Sequence, residues 1–199
     1  MMNTYILNSR ILLTTAILML ICTFTETIKA AEFKGVVGGG LDIGGDTLFT
    51  VTLADGSTTV IKANEGLALN AGIVMIIDQY ETQASAGYKL GGTSRNNGSV
   101  TWETVPVELV QFIRAGNIRI GLGFIYHINP KLVINMQGTN ETYNFSNAWG
   151  TLAQVGWVPM DMPLSIDLRY TAIKYKSGNL TNSEDIHGNV LGIYASYFF

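Results

Sequence analysis

Residues 118–128 read IRIGLGFIYHI, and every second residue of this stretch is large and apolar. The apolar positions are Ile118, Ile120, Leu122, Phe124, Tyr126 and Ile128. The positions between them hold Arg119, Gly121, Gly123, Ile125 and His127. Because successive side chains of a β-strand point to opposite faces, this alternation predicts a strand with one apolar face and one mainly polar face.

The same alternation recurs along the chain, in residues 67–77, 80–90, 164–172 and 191–199. Over the five stretches, 27 of 28 residues on the first face are apolar, against 6 of 23 on the second. Three less regular stretches, residues 35–43, 100–114 and 151–160, bring the predicted number of strands to eight. Pro106 cannot donate a hydrogen bond to a neighbouring strand, so we expect a bulge or local irregularity near it.

The composition narrows the class of protein. Of the 199 residues, 47% are hydrophobic and 14% are charged, against an average charged fraction of about 25% in soluble domains. This excludes a disordered chain, and a single cysteine excludes a disulfide scaffold. A net charge of −3 provides no basic surface, so we expect no nucleic-acid partner. No run of about 20 apolar residues follows the first segment, so a membrane-spanning form of this chain must be a closed barrel.

Residues 1–30 have the features of a secretory signal peptide. Arg10 precedes the apolar run ILLTTAILMLIC at residues 11–22, and Ile28-Lys29-Ala30 is a suitable cleavage site. Twelve apolar residues are too few for a helix that spans a bilayer. We therefore predict a cleaved signal helix at residues 1–30 and a barrel domain at residues 31–199.

The predicted connections between strands alternate in length. Short ones fall at residues 78–79, 115–117 and 161–163, and long ones at residues 44–66, 91–99, 129–150 and 176–188. Short periplasmic turns and long extracellular loops are typical of outer-membrane barrels. Within the first long loop, Asp55-Gly56 lies between two alternating runs and predicts a β-hairpin that extends beyond the membrane.

A soluble barrel such as a lipocalin is the alternative, and it would turn the apolar face inward around a ligand. The positions of Tyr126, Tyr170 and Tyr197 near strand ends favour the membrane form, because interfacial aromatic residues lie there. The fold prediction is therefore an all-β, eight-stranded, antiparallel, up-and-down transmembrane barrel.

The end of the chain, Tyr197-Phe198-Phe199, resembles the C-terminal signal that the barrel assembly machinery reads in bacterial outer-membrane proteins. Residues 31–199 as a whole resemble the small OmpA/OmpX-type eight-stranded barrels. The stretches GGDTLFTVTLADGSTTVIKA at 44–63 and VPVELVQFIRAGNIRIGLGFIYHINPKL at 105–132 also resemble a little-studied group of proteobacterial barrel proteins. That group has no assigned activity, so the resemblance implies an outer-membrane location and an assembly role for Tyr197 and Phe199 only.

The inward face of the predicted barrel carries charged residues of both signs. An eight-stranded barrel is just wide enough for side chains to fill, and an unpaired buried charge costs several kcal/mol. We therefore predict a structural polar network that plugs the lumen, formed by Asp42, Glu81, Lys89, Glu108, Arg119, His127, Asp167 and Arg169.

His127 is the residue that invites an enzymatic interpretation. Outer-membrane lipid A deacylases resemble this chain in architecture and use a histidine with a serine two positions later, where this chain has Asn129. No Gly-x-Ser-x-Gly motif occurs either. His187 lies near Glu184 and Asp185, which we interpret as a solvated loop rather than a metal site. We predict no catalytic, cofactor-binding or metal-binding residues and no cofactor.

The sequence thus favours a non-enzymatic outer-membrane barrel that supports envelope integrity or presents loops 44–66 and 129–150 to a surface ligand. Its expected partners are outer-membrane lipids, lipopolysaccharide and the barrel assembly machinery. The alternative is a lipid A-modifying enzyme or a small hydrophobic-ligand conduit with a lateral opening beside the Pro106 strand or residues 151–160.

Overall fold

The computed structural model describes residues 30–52, 58–95, 98–136, 139–160, 162–176 and 185–199. The predicted signal helix, apart from Ala30, and the predicted Asp55-Gly56 turn lie outside these ranges. Within them, no helix is long and apolar enough to cross a bilayer.

The described residues form twelve β-strands. They are β1 Glu32–Gly44, β2 Thr47–Thr52, β3 Thr58–Lys62, β4 Gly66–Ile77, β5 Tyr80–Arg95, β6 Gly98–Ala115, β7 Ile118–Met136, β8 Thr139–Asn144, β9 Ala148–Trp157, β10 Leu164–Tyr175, β11 Ile186–His187 and β12 Val190–Phe198. All observed pairings between them are antiparallel, so the predicted all-β antiparallel class is confirmed.

The strand pairings return to their starting point. In the part of the chain that the structure describes, they connect β1, β4, β5, β6, β7, β9, β10 and β12 in sequence. β12 then pairs with β1, from Val36 opposite Phe198 to Gly44 opposite Val190. Each of these strands therefore has a hydrogen-bonded neighbour on both sides, and the ring contains no edge strand.

The two faces of the ring differ as the alternation predicts. Leu122, Leu168 and Ile193 expose 68%, 46% and 63% of their surface, whereas Arg119 and Asp167 each expose 1%. The predicted orientation of the pleat, with apolar side chains outward and charged side chains inward, is confirmed.

Two predicted long connections are wrong. Residues 91–95 and 98–99 continue the strands instead, because β5 runs to Arg95 and β6 begins at Gly98. In the predicted loop 129–150, β7 runs on to Met136 and β8 follows it. The strands continue because their inward residues, among them Trp102 and Leu132, are buried against one another in an apolar cluster.

The irregularity expected near Pro106 lies beside it rather than at it. The register of β6 against β7 shifts between Glu103 and Val105, while Pro106 itself pairs with His127. On β7, Asn129 and Pro130 occupy the space opposite Thr104, and Asn129 has a φ of 51°. The extra residue of this bulge therefore belongs to β7, whereas Pro106, the residue that led us to expect an irregularity, lies on β6.

β2 and β3 form a separate two-stranded sheet between β1 and β4. Phe49 pairs with Ile61, and both pack on the apolar cluster inside the ring, where Ile61 is buried. Val60 lies on the opposite face of the pair and exposes 40% of its surface. We name this pair of strands, residues 47–52 and 58–62, the β2–β3 cover.

Glycines on the inward face make room for large side chains on neighbouring strands. A Cβ added at Gly121 would lie 2.5 Å from two ring carbons of Phe112. Phe112 is fully buried, and the guanidinium carbon of Arg119 lies 4.2 Å from its ring centroid, so the ring has no free space to move into.

We expect Gly121→Val to destabilise the folded protein by about 1–3 kcal/mol, because the new side chain overpacks the Phe112 site. The matched control is Ala153→Val, which adds methyl groups to an exposed, outward position opposite Leu122. Urea unfolding in lipid or detergent measures both. Equal stability of the two variants would contradict the packing account.

Candidate functional site

The interior of the ring is the candidate site. All eight residues of the predicted polar network are buried, each with at most 5% of its surface exposed: Asp42, Glu81, Lys89, Glu108, Arg119, His127, Asp167 and Arg169. The structure divides seven of them between two networks and separates His127 from both. We call the end of the ring with the connections at residues 78–79, 116–117 and 158–163 the turn end, and the opposite end the extension end.

The Arg119 network lies toward the turn end. Arg119 donates to both carboxylate oxygens of Asp167, with Nε–Oδ1 and Nη2–Oδ2 distances of 2.9 and 2.7 Å. Ser165 contacts the same pair, accepting from Arg119 at 2.8 Å and donating to Asp167 at 2.8 Å. A bidentate, charge-assisted pair with added hydrogen bonds is the arrangement that best offsets the desolvation of buried charges.

Glu81 links this network to Arg114, which was not in the predicted set. It accepts from Arg119 at 3.3 Å and lies 3.5 Å from Nη1 of Arg114. Arg114 lies near the end of β6, beside the turn at residues 116–117, and it also donates to the carbonyl of Val158. Arg114 lies two residues after the inward Phe112, so the alternation of β6 was the signal that could have identified it. With Arg114 included, the network holds two acids and two bases.

The Asp42 network is centred on two further ion pairs. Lys89 donates to Asp42 at 2.5 Å and to Asn64 at 2.7 Å, and the hydroxyl of Tyr194 also donates to Asp42. Arg169 donates to Glu108 at 2.7 Å, and its guanidinium carbon lies 3.8 Å from the Tyr194 ring centroid. These residues therefore form one connected group of two acids and two bases.

Asn64 and Tyr194 were absent from the predicted set. Asn64 comes from the connection after β3, where its φ of 65° turns the chain, and its amide donates to the carbonyl of Gly188. Tyr194 alternates with the outward residues of β12, and its position between Gly192 and Ser196 was the signal that could have identified it.

The two networks differ in how completely their atoms are paired. Among the described residues, Asp42 Oδ1, Glu108 Oε2 and Arg169 Nε have no hydrogen-bond partner. The oxygens of Glu81 and Asp167 and the hydroxyl of Ser165 all have partners. The Arg119 network is therefore the more fully satisfied of the two.

His127 belongs to neither network. Its Nδ1 lies 2.8 Å from the hydroxyl of Tyr175, and its Nε2 has no partner among the described residues. Tyr175 packs edge-on against Trp102, with ring centroids 5.1 Å apart. The neighbour of His127 is thus a tyrosine in an apolar setting rather than a carboxylate, and this arrangement gives no support to the deacylase interpretation.

An inner apolar cluster lies largely on the inward faces of β6, β7, β9 and β10 and extends from Phe112, beside Arg119, to the extension end. Its buried members are Ile61, Ala63, Val100, Trp102, Val110, Phe112, Ile125, Leu132, Ile134, Ala148, Leu152, Ile173 and Tyr175. This cluster was not predicted, because its inward residues lie partly in the stretches assigned to loops.

Outside the ring, the chain after β1 is tied to β11. The carboxylate of Asp46 accepts from the backbone N–H of His187 at 2.7 Å, and the N–H of Asp46 donates to the carbonyl of His187 at 2.7 Å. Asp185 lies 3.7 Å from Lys174, and Glu184 is outside the described residues. In the ranges that the structure describes, no group of three His, Cys, Asp or Glu residues could hold a metal ion.

The two residues of the predicted assembly signal lie on the outer face. Tyr197 and Phe199 expose 47% and 69% of their surface, and their rings stack with centroids 6.4 Å apart. The backbone of Phe199 exchanges two hydrogen bonds with Gly35, so the chain end is held in the ring.

A closed antiparallel ring with an apolar exterior and a charged interior has the architecture of small outer-membrane β-barrels. No protein-family model matches the chain, and no curated protein is significantly similar to it. Among solved structures, the chain is similar to Neisserial surface protein A, with 10% identity and a TM-score of 0.53, covering 86% of this chain and all of the other.

It is also similar to Ail, the attachment invasion locus protein of Yersinia pestis, solved with the heparin analogue sucrose octasulfate. The identity is 13% and the TM-score 0.54, again covering 86% of this chain and all of the other. At these identities the likeness concerns the fold, and it supports a small barrel of the OmpA/OmpX kind.

We expect Arg119→Met to destabilise the protein by about 3–5 kcal/mol, because Asp167 would remain buried without its partner. Adding Asp167→Asn should recover part of that loss. Lys34→Met is the control, since Lys34 pairs with Glu32 on the surface and such pairs contribute about 0–1 kcal/mol. Denaturant unfolding measures all three. If Arg119→Met alone were as stable as Lys34→Met, the role assigned to Arg119 would be contradicted.

The hydrogen bond between the Asp46 carboxylate and the backbone N–H of His187 should depend on pH. The backbone N–H of His187 stabilises the carboxylate and lowers the pKa of Asp46 below its usual range. The hydrogen bond from the His187 N–H to the carboxylate is therefore fully formed above the usual pKa of an aspartate. It is lost as the pH falls through the lowered pKa of Asp46. In a carbon-13 NMR titration, His187→Ala should leave most of the shift in place, because the backbone donor remains. A return of the Asp46 pKa to its ordinary value in that variant would show that the side chain is the main cause.

Proposed function

We propose that this chain is a non-enzymatic outer-membrane β-barrel protein, exported by a signal peptide that is cleaved after residue 30. In this proposal the eight strands of the ring span the membrane, and the lumen is plugged by side chains. The protein supports envelope integrity and presents surface segments to an external ligand.

The observation that carries the proposal is the apolar belt around the ring. Large apolar side chains that a soluble protein would bury are exposed on its strands, including Leu122, Phe124 and Ile193 at 61–68%. Exposed apolar surface of this extent marks an interface, and a belt that circles the whole molecule fits a bilayer better than a single partner.

Aromatic residues bound the belt at both ends. On β5, Tyr80 and Tyr88 are both exposed and eight residues apart, as are Trp157 and Trp149 on β9. Eight residues span about 26 Å along a strand, or about 20 Å across a bilayer at a tilt of about 40°. This spacing suits aromatic girdles at the two interfaces of an outer membrane.

The contents of the ring support a plug rather than an open channel. Both ion-pair networks are balanced in charge, and the inner apolar cluster occupies the extension end. Balanced, hydrogen-bonded pairs stabilise an interior of this size, whereas a water-filled pore needs more strands.

Surface segments at the extension end would face outside the cell. They comprise the β2–β3 cover, in the predicted loop 44–66, and the β7–β8 extension, in the predicted loop 129–150. In β8, Asn140, Glu141, Thr142 and Tyr143 are all exposed and offer polar contacts to lipopolysaccharide or to another surface ligand. In assembly, the exposed Tyr197 and Phe199 would serve as the recognition signal.

Site-directed spin labels test the membrane location. Because Cys22 is the chain's one cysteine and precedes residue 31, single cysteines can be placed freely in the barrel domain. In liposomes, a label at Leu122→Cys should collide more with oxygen than with an aqueous nickel chelate. The control is Asn135→Cys, on the exposed face of the β7 extension, where the chelate should dominate. Equal chelate accessibility at the two sites would overturn the proposal.

A further inference from the structure

The upper part of the inner apolar cluster has the composition of a ligand site. At the extension end, Trp102, Leu132, Ile134 and Tyr175 are all at most 4% exposed. Phe49 and Ile61 of the β2–β3 cover pack against this cluster, as do Met136, Phe145 and Ile186, and the Phe145 ring centroid lies 5.1 Å from that of Trp102. Ligand pockets are typically apolar and contain a few polar groups that fix orientation.

Two such polar groups are present. Trp102 Nε1 and His127 Nε2 are buried and have no hydrogen-bond partner among the described residues. Both rings contact Tyr175, with centroids 5.1 and 5.8 Å from its ring. A buried polar group without a partner costs about 1–3 kcal/mol, so a molecule that supplied one would gain that amount in affinity.

The two groups define the chemistry of the missing partner. An indole N–H can only donate a hydrogen bond. When Tyr175 donates its hydroxyl hydrogen to Nδ1 of His127, Nε2 carries the ring hydrogen and donates as well. Trp102 Nε1 therefore calls for an oxygen acceptor in either tautomer of His127, and His127 Nε2 does so in the tautomer in which Tyr175 donates. The surrounding side chains call for an apolar body.

The β2–β3 cover is joined to the ring through a turn at each of its ends. Gly44 and Gly45 precede it with φ values of 124° and 83°, and Asn64 and Gly66 follow it with 65° and 142°. These left-handed positions place turns at both of its ends. Asp46 directly precedes the cover, and its carboxylate forms an exposed contact with His187.

We propose that the upper inner apolar cluster is a binding site for a small apolar molecule that carries one carbonyl oxygen, and that the β2–β3 cover competes for it. In the covered state Phe49 and Ile61 occupy the apolar surface. When the cover moves aside, the molecule replaces their contacts, and its carbonyl accepts from Trp102 or His127. This goes beyond the proposed structural role and does not require the membrane location.

Three indole signals make the experiment specific. The chain has three tryptophans, and Trp149 and Trp157 lie on the outer face with 71% and 45% exposure, so they report non-specific partitioning. Protein labelled with nitrogen-15 tryptophan is titrated with hexan-2-one in detergent, and Trp102→Phe assigns the buried indole. The test variant is Phe49→Ser, which weakens the cover, and the matched control is Val60→Ser on its opposite face.

We expect the Trp102 signal to move saturably, with half-saturation in Phe49→Ser at a ketone concentration about tenfold lower than in Val60→Ser. Asp46→Ala removes the carboxylate that accepts from His187 and leaves the cluster residues unchanged. It should shift the midpoint in the same direction, and it replaces Phe49→Ser if that variant does not fold. A Trp102 signal that stays still in the weakened variants, or that follows the same dose dependence as Trp149 and Trp157, would overturn the proposal.

Discussion

The pairing of β1 with β12 closes the ring, and the other features of the structure depend on this closure. Once the ring is closed, each strand has a definite inside and outside, and its two side-chain faces meet different surroundings. The inside is narrow, and Gly121 leaves the space that the Phe112 ring occupies. Charges placed inside cannot reach solvent and must find partners across the ring.

The interior resolves this constraint in two different ways. Toward the turn end, Arg119 and Asp167 form a bidentate pair with all the surrounding oxygens satisfied. Toward the extension end, apolar side chains replace charges, and the β2–β3 cover completes their burial. The Asp42 network contains paired charges that retain hydrogen-bonding atoms without a partner among the described residues. Buried ion pairs and the candidate ligand site thus occur within one barrel.

The sequence could predict which residues face inward because strand geometry is local. Arg119 and Asp167 each lie between two apolar neighbours, and period-2 alternation assigns their side without reference to any other strand. The same rule failed where alternation was interrupted. Asn129 and Pro130 form a bulge, and beyond it β7 resumes with Leu132 and Ile134 inward, so the extension was mistaken for a loop.

The sequence by itself therefore determined the fold class, the polarity of each face and the identity of the buried charges, because these follow from neighbours along one strand. Only the tertiary structure decided which charges pair, since Arg119 and Asp167 are 48 residues apart and meet through the register of three strands. It likewise decided that His127 contacts Tyr175 and that Ile61 of the β2–β3 cover is buried in the inner apolar cluster. These contacts depend on how distant strands are aligned across the ring, and alternation along a single strand carries no information about that alignment.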